Sequence, residues 1–488
     1  MLTYLLLTIF IAPLVAILIA LITRHPRLSE FANLTASIIT FLAVLPVPFL
    51  SMQGPFYFLN NYFILDSLSA WVMLCVGVVY FLASIYTIGY MRMQHVEKRL
   101  FYYYALFALF AFIMFIAPMM NNIVVYWIGI EMSTIVSTFL VGFVQAPKSI
   151  EAAWKYIIIV SAGIALALLG IIFFYWGGTF ILGPTYTLTW PVLLKIASQI
   201  NPTLLTLAFL LVLVGFGTKV GLAPMHTWLP DAHSEGPAPV SAMLSGALLN
   251  VAMLGIVRFI TILNHTPIGI FAKTILIIFG VLSLAFAALF IVKQKDIKRL
   301  MAYSSVEHMG VLAIGFGFGG VFGFAGALYH MLNHSLNKSL MFFGAGNAMH
   351  VYNTKDISGM HSVLKNMPLM GGIWLAGAIA ITGSPPFGLF LSEITVLRGG
   401  MQSTNEWAVF VMALLLIVIF CGFLNHFRKM VFDNKEKIEI SHHEKISKWC
   451  IAPMIIAVIP LLILGLWWPH GLWDYFINIS SQLGVIHL

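Results

Sequence analysis

Eight titratable residues of this 488-residue chain fall inside apolar runs: Glu131, Lys219, Glu307, His308, His330, His334, Lys338 and Glu393. Carboxylates, imidazoles and primary amines are the side chains that take up and release protons. On a lenient insertion scale of roughly 2.5–3.5 kcal/mol per central charge, the Glu and Lys members alone would cost more than ~12 kcal/mol. A protein's whole net stability is about 5–15 kcal/mol. The set must therefore be paired, neutralised or hydrated. His330, His334 and Lys338 recur at four-residue spacing and share one helix face. Such a row fits a hydrated proton path or packed, hydrogen-bonding histidines. A His pair one turn apart also suits zinc, but the sequence places no Glu-x-x or Cys companion beside it. Glu307 and His308 are adjacent and point about 100° apart, so one can pair inward while the other supports packing.

Two helix breaks accompany these residues. Lys219 lies five positions before Pro224, in Thr218-Lys-Val-Gly-Leu-Ala-Pro224-Met-His226-Thr-Trp-Leu-Pro230. Glu393 lies seven positions after Pro386, downstream of Gly383-Ser-Pro385-Pro386-Phe-Gly388. Proline with glycine frees backbone groups, which membrane proteins tolerate only where protein or water satisfies them. A charge beside such a break is a way to build an ion site. Glu131 lies two helices before Lys219, and the two read as a carboxylate–amine couple, either proton-coupled or a structural ion pair fixing helix packing. Lys155, with Glu151, opens a helix from a basic loop as a topology anchor or a proton inlet. Asp66 reads as a cap or interfacial residue. Asp231, His233 and Glu235 form a polar turn that suits a funnel or a tight corner.

The elements that hold these residues are membrane helices. The chain is 61% hydrophobic and 9% charged, with mean hydropathy +0.98, too poor in charge for a soluble protein of this size. Its net charge of +8 resides in short loops between apolar spans, which speaks of membrane topology and not of nucleic acid. Spanning stretches fall near 3–23, 29–51, 64–91, 100–117, 121–144, 152–176, 204–230, 237–263, 270–292, 298–318, 321–347, 368–392, 405–428 and 449–468. The fold class is thus an all-α polytopic membrane protein of about fourteen transmembrane helices. The breaks fall in helices 7 and 12, so units of helices 4–8 and 9–13 place one break in each, the pattern of two inverted five-helix repeats. The corresponding division is 1–99, 100–264, 265–430 and 431–488. Loops after odd-numbered helices carry nineteen Lys and Arg against four on the other side, Lys195, Arg258, Lys273 and Arg398. That bias puts both termini on the non-cytoplasmic side. The N-terminal apolar run reads as a first helix and not as a removed signal. Only 177–203, with a short interfacial helix near Trp190, and 429–448, a solvated cytoplasmic connection, are long enough to hold structure between spans.

Nucleotide and redox chemistry find little footing. Gly315-Phe-Gly317-Phe-Gly-Gly320 matches a dinucleotide fingerprint but has no preceding strand and no following acid, so it reads as a helix connection. Cys75, Cys421 and Cys450 are far apart and offer no metal cluster. No P-loop, Cys-x-x-Cys pair or haem motif appears.

In combination, Trp127-Ile-Gly-Ile-Glu131, Thr218-Lys219 with Trp228-Leu-Pro-Asp231-Ala, Gly236-Pro-Ala-Pro-Val-Ser241, Asp296-Ile-Lys298-Arg299 with Tyr303-Ser304, and His330-(3)-His334-(3)-Lys338 resemble the antiporter-like subunits of respiratory complex I. The resemblance covers roughly residues 60–430. The wording of Glu151-Ala-Ala-Trp-Lys155-Tyr, Ala232-His-Ser-Glu-Gly-Pro and Tyr303-Ser-Ser-Val-Glu-His-Met-Gly310 is most similar to component F of hydrogenase-4, a membrane-bound nickel–iron hydrogenase or formate hydrogenlyase complex. It implies a proton-translocating subunit of the bacterial or archaeal inner membrane, driven by redox chemistry elsewhere. Glu131 and Lys219 would couple in the first half-channel, Lys338 would be the central lysine of the second, and Glu393 its exit. The resemblance implies no cofactor in this chain, with iron–sulfur clusters and nickel–iron only in partner subunits. Expected partners are other membrane subunits, lipid and a peripheral redox or zinc-containing arm. Relatives often carry His or Lys on helix 8, where this chain has Ser241-Ala-Met-Leu-Ser245, which puts a direct wire between the halves in question. A secondary cation/proton antiporter, or the channel partner of a zinc carbonic-anhydrase-like protein in carbon uptake, would need the same row of residues.

Overall fold

The computed structural model describes residues 1–94, 99–433 and 446–485. Fourteen membrane-crossing segments follow one another: α1 (Leu2–Thr23), α2 (Pro26–Val44), α3 (Ser67–Met93), α4 (Leu100–Ile116), α5 (Ile123–Val141), α6 (Pro147–Leu182), α7a (Pro202–Val220) with α7b (Trp228–Glu235), α8 (Ala238–Leu263), α9 (Gly269–Val292), α10 (Ile297–Phe318), α11 (Gly320–Tyr352), α12a (Pro368–Ile381) with α12b (Gly388–Gly400), α13 (Glu406–Phe432) and α14 (Lys448–Leu466). Among the described residues, eleven helices are individually long and apolar enough to span a membrane. The other three crossings are informative: α10 and α11 carry the polar row, and α12 is broken.

Burial ranks the helices by role. Every residue of α8 is buried, so it runs through the centre of the bundle. The outer helices leave apolar side chains such as Phe139, Trp154, Ile158, Phe410 and Leu414 exposed, as membrane-spanning surfaces do. Small residues let the helices close up. A Cβ on Gly215 of α7a would come within 2.4 Å of the Ala167 backbone nitrogen on α6, the close approach that membrane helix pairs use in place of hydrophobic drive. α12b packs along α11 in the second half as α7a packs along α6 in the first.

Both breaks lie where proline and glycine place them. At the first, Gly221 takes a left-handed φ of +80° and caps α7a onto Gly217 and Thr218. The freed Ala223 N–H donates to Ser283 Oγ on α9 (2.9 Å), and Trp228 Nε1–H donates to the Thr218 carbonyl (2.7 Å). The protein thus satisfies the broken backbone itself, as apolar surroundings require.

Three features depart from the sequence expectation. Residues 52–66 hold an antiparallel hairpin, Phe56–Phe58 with Phe63–Leu65, although the apolar pattern passes over them as a plain connection. A helix, His470–Gln482, follows α14 and packs against α11 and α3. Arg258 and Lys298, assigned to opposite-face loops by the charge count, are 5% and 2% exposed inside the protein. The expected helix in 177–203 forms at Trp190–Ile196. Lys98, Lys435, Lys437, Lys445 and most of the connection expected at 429–448 lie outside the described residues.

Candidate functional site

The titratable residues gather into three neighbourhoods. The first surrounds Lys219 at the C-terminal end of α7a, fully buried. Its Nζ donates to Thr134 Oγ1 (2.7 Å) on α5 and to Tyr156 OH (2.9 Å) on α6, and it lies 5.2 Å from the Tyr156 ring centre. Tyr156 OH and Ser137 Oγ are 2.7 Å apart, and Ser137 gives its own proton to the Ser133 carbonyl (2.6 Å). Tyr156 is therefore the donor to Ser137, and the chain of hydroxyls has one direction, from Lys219 outward. Glu131 is half-buried one turn before Thr134 on α5 and accepts from Ser161 Oγ at 2.6 Å. It makes no ion pair within 4.0 Å of Lys219, and its Oε2 has no hydrogen-bond partner among the described residues. The amine and the carboxylate expected to couple thus share α5 without touching.

The second neighbourhood runs along α10, α11 and α12b. Lys338 Nζ donates to Ser304 Oγ (2.8 Å) and to the Met301 carbonyl (2.9 Å) on α10. One turn further along α10, His308 Nδ1 lies 3.0 Å from His330 Nε2, and the His308 ring centre is 5.2 Å from that of His334. His330 Nδ1 reaches Ser392 Oγ on α12b (2.9 Å), next to Glu393. Glu307, His308, His330, His334 and Lys338 are 0–1% exposed and Glu393 is 6% exposed. The Glu393 carboxylate rests on the break itself: a Cβ on Gly383 would lie 2.0 Å from its Oε2. Helical spacing groups His330, His334 and Lys338; only the fold adds His308, Ser304, Ser392 and Glu393 to them.

The third is a charged funnel of about 600 Å³ at one end of the bundle, lined by Lys148, Glu151, Lys155, Asp231, Lys295 and Arg299, among others. Lys155 is exposed here, in ion pairs with Glu151 (2.7 Å) and Asp231 (3.5 Å). Asp231 also pairs with Arg299, and Glu235 with Lys355 at 2.7 Å. Lys298, buried nearby, donates to the carbonyls of Gly236 and of the funnel-lining Ser234. His233, stacked 4.9 Å from Phe342, has neither ring nitrogen hydrogen-bonded among the described residues.

Between the halves, α8 contributes hydroxyls and an amide. Its middle turn, Leu244–Leu248, is π-helical, a local widening common at functional positions. There Ser245 Oγ meets Ser305 Oγ of α10 (2.7 Å), and Asn250 Nδ2 donates to Ser335 Oγ of α11 (2.9 Å). Among the described residues no side-chain hydrogen bond joins the Lys219 cluster to Ser245. Sequence reading singles out none of Tyr156, Thr134, Ser161, Ser305 or Asn250, because a lone hydroxyl or amide in an apolar helix carries no local signal.

At the other end of α8, Arg258 Nη2 binds Asp66 Oδ2 (2.8 Å) and Ser69 Oγ (2.7 Å), with its guanidinium 5.3 Å over Trp190. Asp66 Oδ1 caps α3 through Ser69 N–H (2.8 Å). The expected cap is present, and the cap residue is also one half of a buried ion pair.

Residues 120–420 match the family described as NADH:quinone oxidoreductase/Mrp antiporter, transmembrane. The chain is 36% identical over 395 residues to a hydrogenase-4 component F homolog of Methylacidiphilum infernorum, covering 80% of this chain and 82% of that protein. Its fold is similar to a chain of the archaeal membrane-bound sulfane sulfur reductase, with TM-score 0.87, 22% identity, and 98% and 97% of the two chains covered. It is likewise similar to a chain of the Mrp complex from Dietzia sp. DQ12-45-1b, with TM-score 0.85, 16% identity, and 99% and 97% covered. With two broken helices in matching units and a match spanning both of them, the chain belongs to the NADH:quinone oxidoreductase/Mrp antiporter family of multi-pass membrane proteins.

Proposed function

We propose that the chain is the proton-translocating, antiporter-like membrane subunit of a redox-driven complex of the hydrogenase-4 or complex I kind. The observation that carries this reading is the row Lys338–Ser304, His308–His330–Ser392 and Glu393, fully inside the bundle. Buried titratable groups in mutual contact are expensive to keep and serve proton movement. On this reading the charged funnel faces the cytoplasm and collects protons through Asp231 and Lys155, and both termini lie on the far side of the inner membrane. Redox chemistry, with iron–sulfur clusters and nickel–iron, belongs to partner subunits of a peripheral arm, and further membrane subunits flank this one. A change of field near Glu131 moves the proton balance at Lys219, and the change passes along the polar axis to Lys338 and Glu393. Each proton moved against 100 mV costs about 2.3 kcal/mol.

The test uses the complex purified from its native membrane, its partners identified by mass spectrometry, and then reconstituted in vesicles. Lys219→Ala and Glu131→Gln are expected to leave donor oxidation measurable and to lower protons moved per electron. Unchanged stoichiometry in both variants rejects the assignment. A second reading, a secondary cation/proton antiporter, is favoured by the likeness to the Mrp complex chain. It predicts cation-dependent proton flux with no electron donor present.

A further inference from the structure

Spacing along α11 leaves the His330–His334 pair without companion ligands, and the fold supplies His330 with them from two other helices. His308 on α10 and Glu393 on α12b each bring a ligand atom within 4.8 Å of one another and of His330. His308 Nδ1 and His330 Nε2 are 3.0 Å apart. Two ligands on one tetrahedral zinc with bonds of about 2.0 Å stand about 3.3 Å apart.

The hydrogen bonds around the cluster set its protons. Ser392 Oγ gives its one proton to the Leu389 carbonyl (2.7 Å), so at 2.9 Å it accepts from His330 Nδ1–H. The neutral His330 ring therefore turns the lone pair of Nε2 into the cluster. An imidazole held from behind by its other N–H is how metal-bound histidines are oriented. In addition, His308 Nε2, both nitrogens of His334 and Glu393 Oε1 are buried with no hydrogen-bond partner among the described residues. Each such atom costs roughly 1–3 kcal/mol when left unpaired.

We propose that His308, His330 and Glu393 form a binding site for a divalent transition metal of the zinc class. Two neutral imidazoles with one carboxylate are a donor set suited to zinc. Glu307, adjacent to His308, adds a second acidic group beside the ion, while Lys338, two turns from His330 on α11, opposes it. A bound ion displaces the contact between His308 and His330 and pins Glu393 against the α12 break. Metal binding stands apart from the proposed proton role; only the block of flux that follows from it rests on that reading.

The experiment takes the complex purified from its native membrane, strips it with chelator, and adds zinc chloride alone or cobalt chloride alone. Wild type is expected to retain about one zinc per chain through gel filtration, and to give the visible absorption of four-coordinate cobalt. His308→Gln and Glu393→Gln should each bind roughly tenfold or more weakly, and Ser392→Ala, which loses only the support of His330, by about tenfold. His226→Gln, at the other break, should bind as wild type does. Absence of the cobalt band from wild type, or equal zinc retention in wild type, His308→Gln and Glu393→Gln, overturns the site. Zinc retained with donor-driven proton flux unchanged upholds the site and counts against the proton row.

Discussion

The Asp66–Arg258 pair offers the cleanest energetic test of how this bundle handles charge. Arg258 is 5% and Asp66 8% exposed, and two contacts of 2.7–2.8 Å hold the guanidinium to Asp66 and Ser69. Arg258→Met strands a buried carboxylate, and breaking one partner of a buried pair costs about 3–5 kcal/mol. Asp66→Asn keeps the oxygen that caps α3 but strands the guanidinium, so its cost falls in the same range. In the double variant no charge is left behind, and replacing a whole buried pair by neutral groups is often near neutral. Arg258 Nε already lacks a partner among the described residues, so the wild-type pair is not fully compensated and the double variant should recover most of the loss. The chain carries its own reporters: Cys75 and Cys450 are buried and Cys421 is exposed. With Cys421→Ser as background, maleimide labelling of Cys75 reports opening when reclosing is fast. A loss of ~3 kcal/mol raises the open population by about 100-fold. Labelling of the Arg258→Met protein within about threefold of the background rate would refute the reasoning, since threefold corresponds to well under 1 kcal/mol. So would a double variant that labels as fast as either single.

Two further outcomes test the site. Gly383→Ala places a Cβ 2.0 Å from Glu393 Oε2 at a φ of +63°, adding roughly 1–2 kcal/mol of left-handed strain; donor-driven proton flux in vesicles should fall to the Glu393→Gln level while donor oxidation continues, and unaltered flux would show that the carboxylate need not sit at the break. Ser245→Ala removes the 2.7 Å contact to Ser305, which keeps its bond to the Met301 carbonyl, so stability should drop by about 1 kcal/mol or less; protons moved per electron should fall if the halves communicate there, and an unchanged ratio takes Ser245 out of the path.

The membrane fold was largely legible because lipid imposes one-dimensional rules. Length and apolarity mark the spans, and Gly221 with Pro224 and Gly383 with Pro385 mark the breaks. What escaped was decided by packing. Arg258 and Lys298 look like ordinary interfacial cations in the string, since a charge near a helix end reads the same whether it meets water or a buried partner. Asp66 lies 192 positions away from Arg258 in the chain, and the backbone carbonyls of Ser234 and Gly236 that hold Lys298 have no side-chain signature. The helix at His470–Gln482 alternates polar and apolar residues and is too short to register as a span.

The candidate site was legible in its charges and illegible in its wiring. Glu131 and Lys219 stand out as a carboxylate and an amine at membrane depth, and opposite charges in apolar surroundings suggest contact. The structure separates them: hydroxyls of Thr134 and Tyr156 surround Lys219, while Ser161 holds Glu131. A direct pair would lie deep in its own Coulomb well, and a distant change of charge would scarcely alter it. Held apart by neutral hydroxyls, the amine is solvated enough to persist, and on the proposed reading its proton balance still answers to a field arising elsewhere in the bundle. The same logic explains serine and asparagine on α8. On the proposed reading a fixed cation there would bias both half-sites permanently, whereas Ser245 and Ser305 can exchange donor and acceptor roles without moving a heavy atom and Asn250 joins α8 to α11 as a neutral donor. The proposed coupling at a distance thus rests on what the fold leaves unpaired as much as on what it brings together.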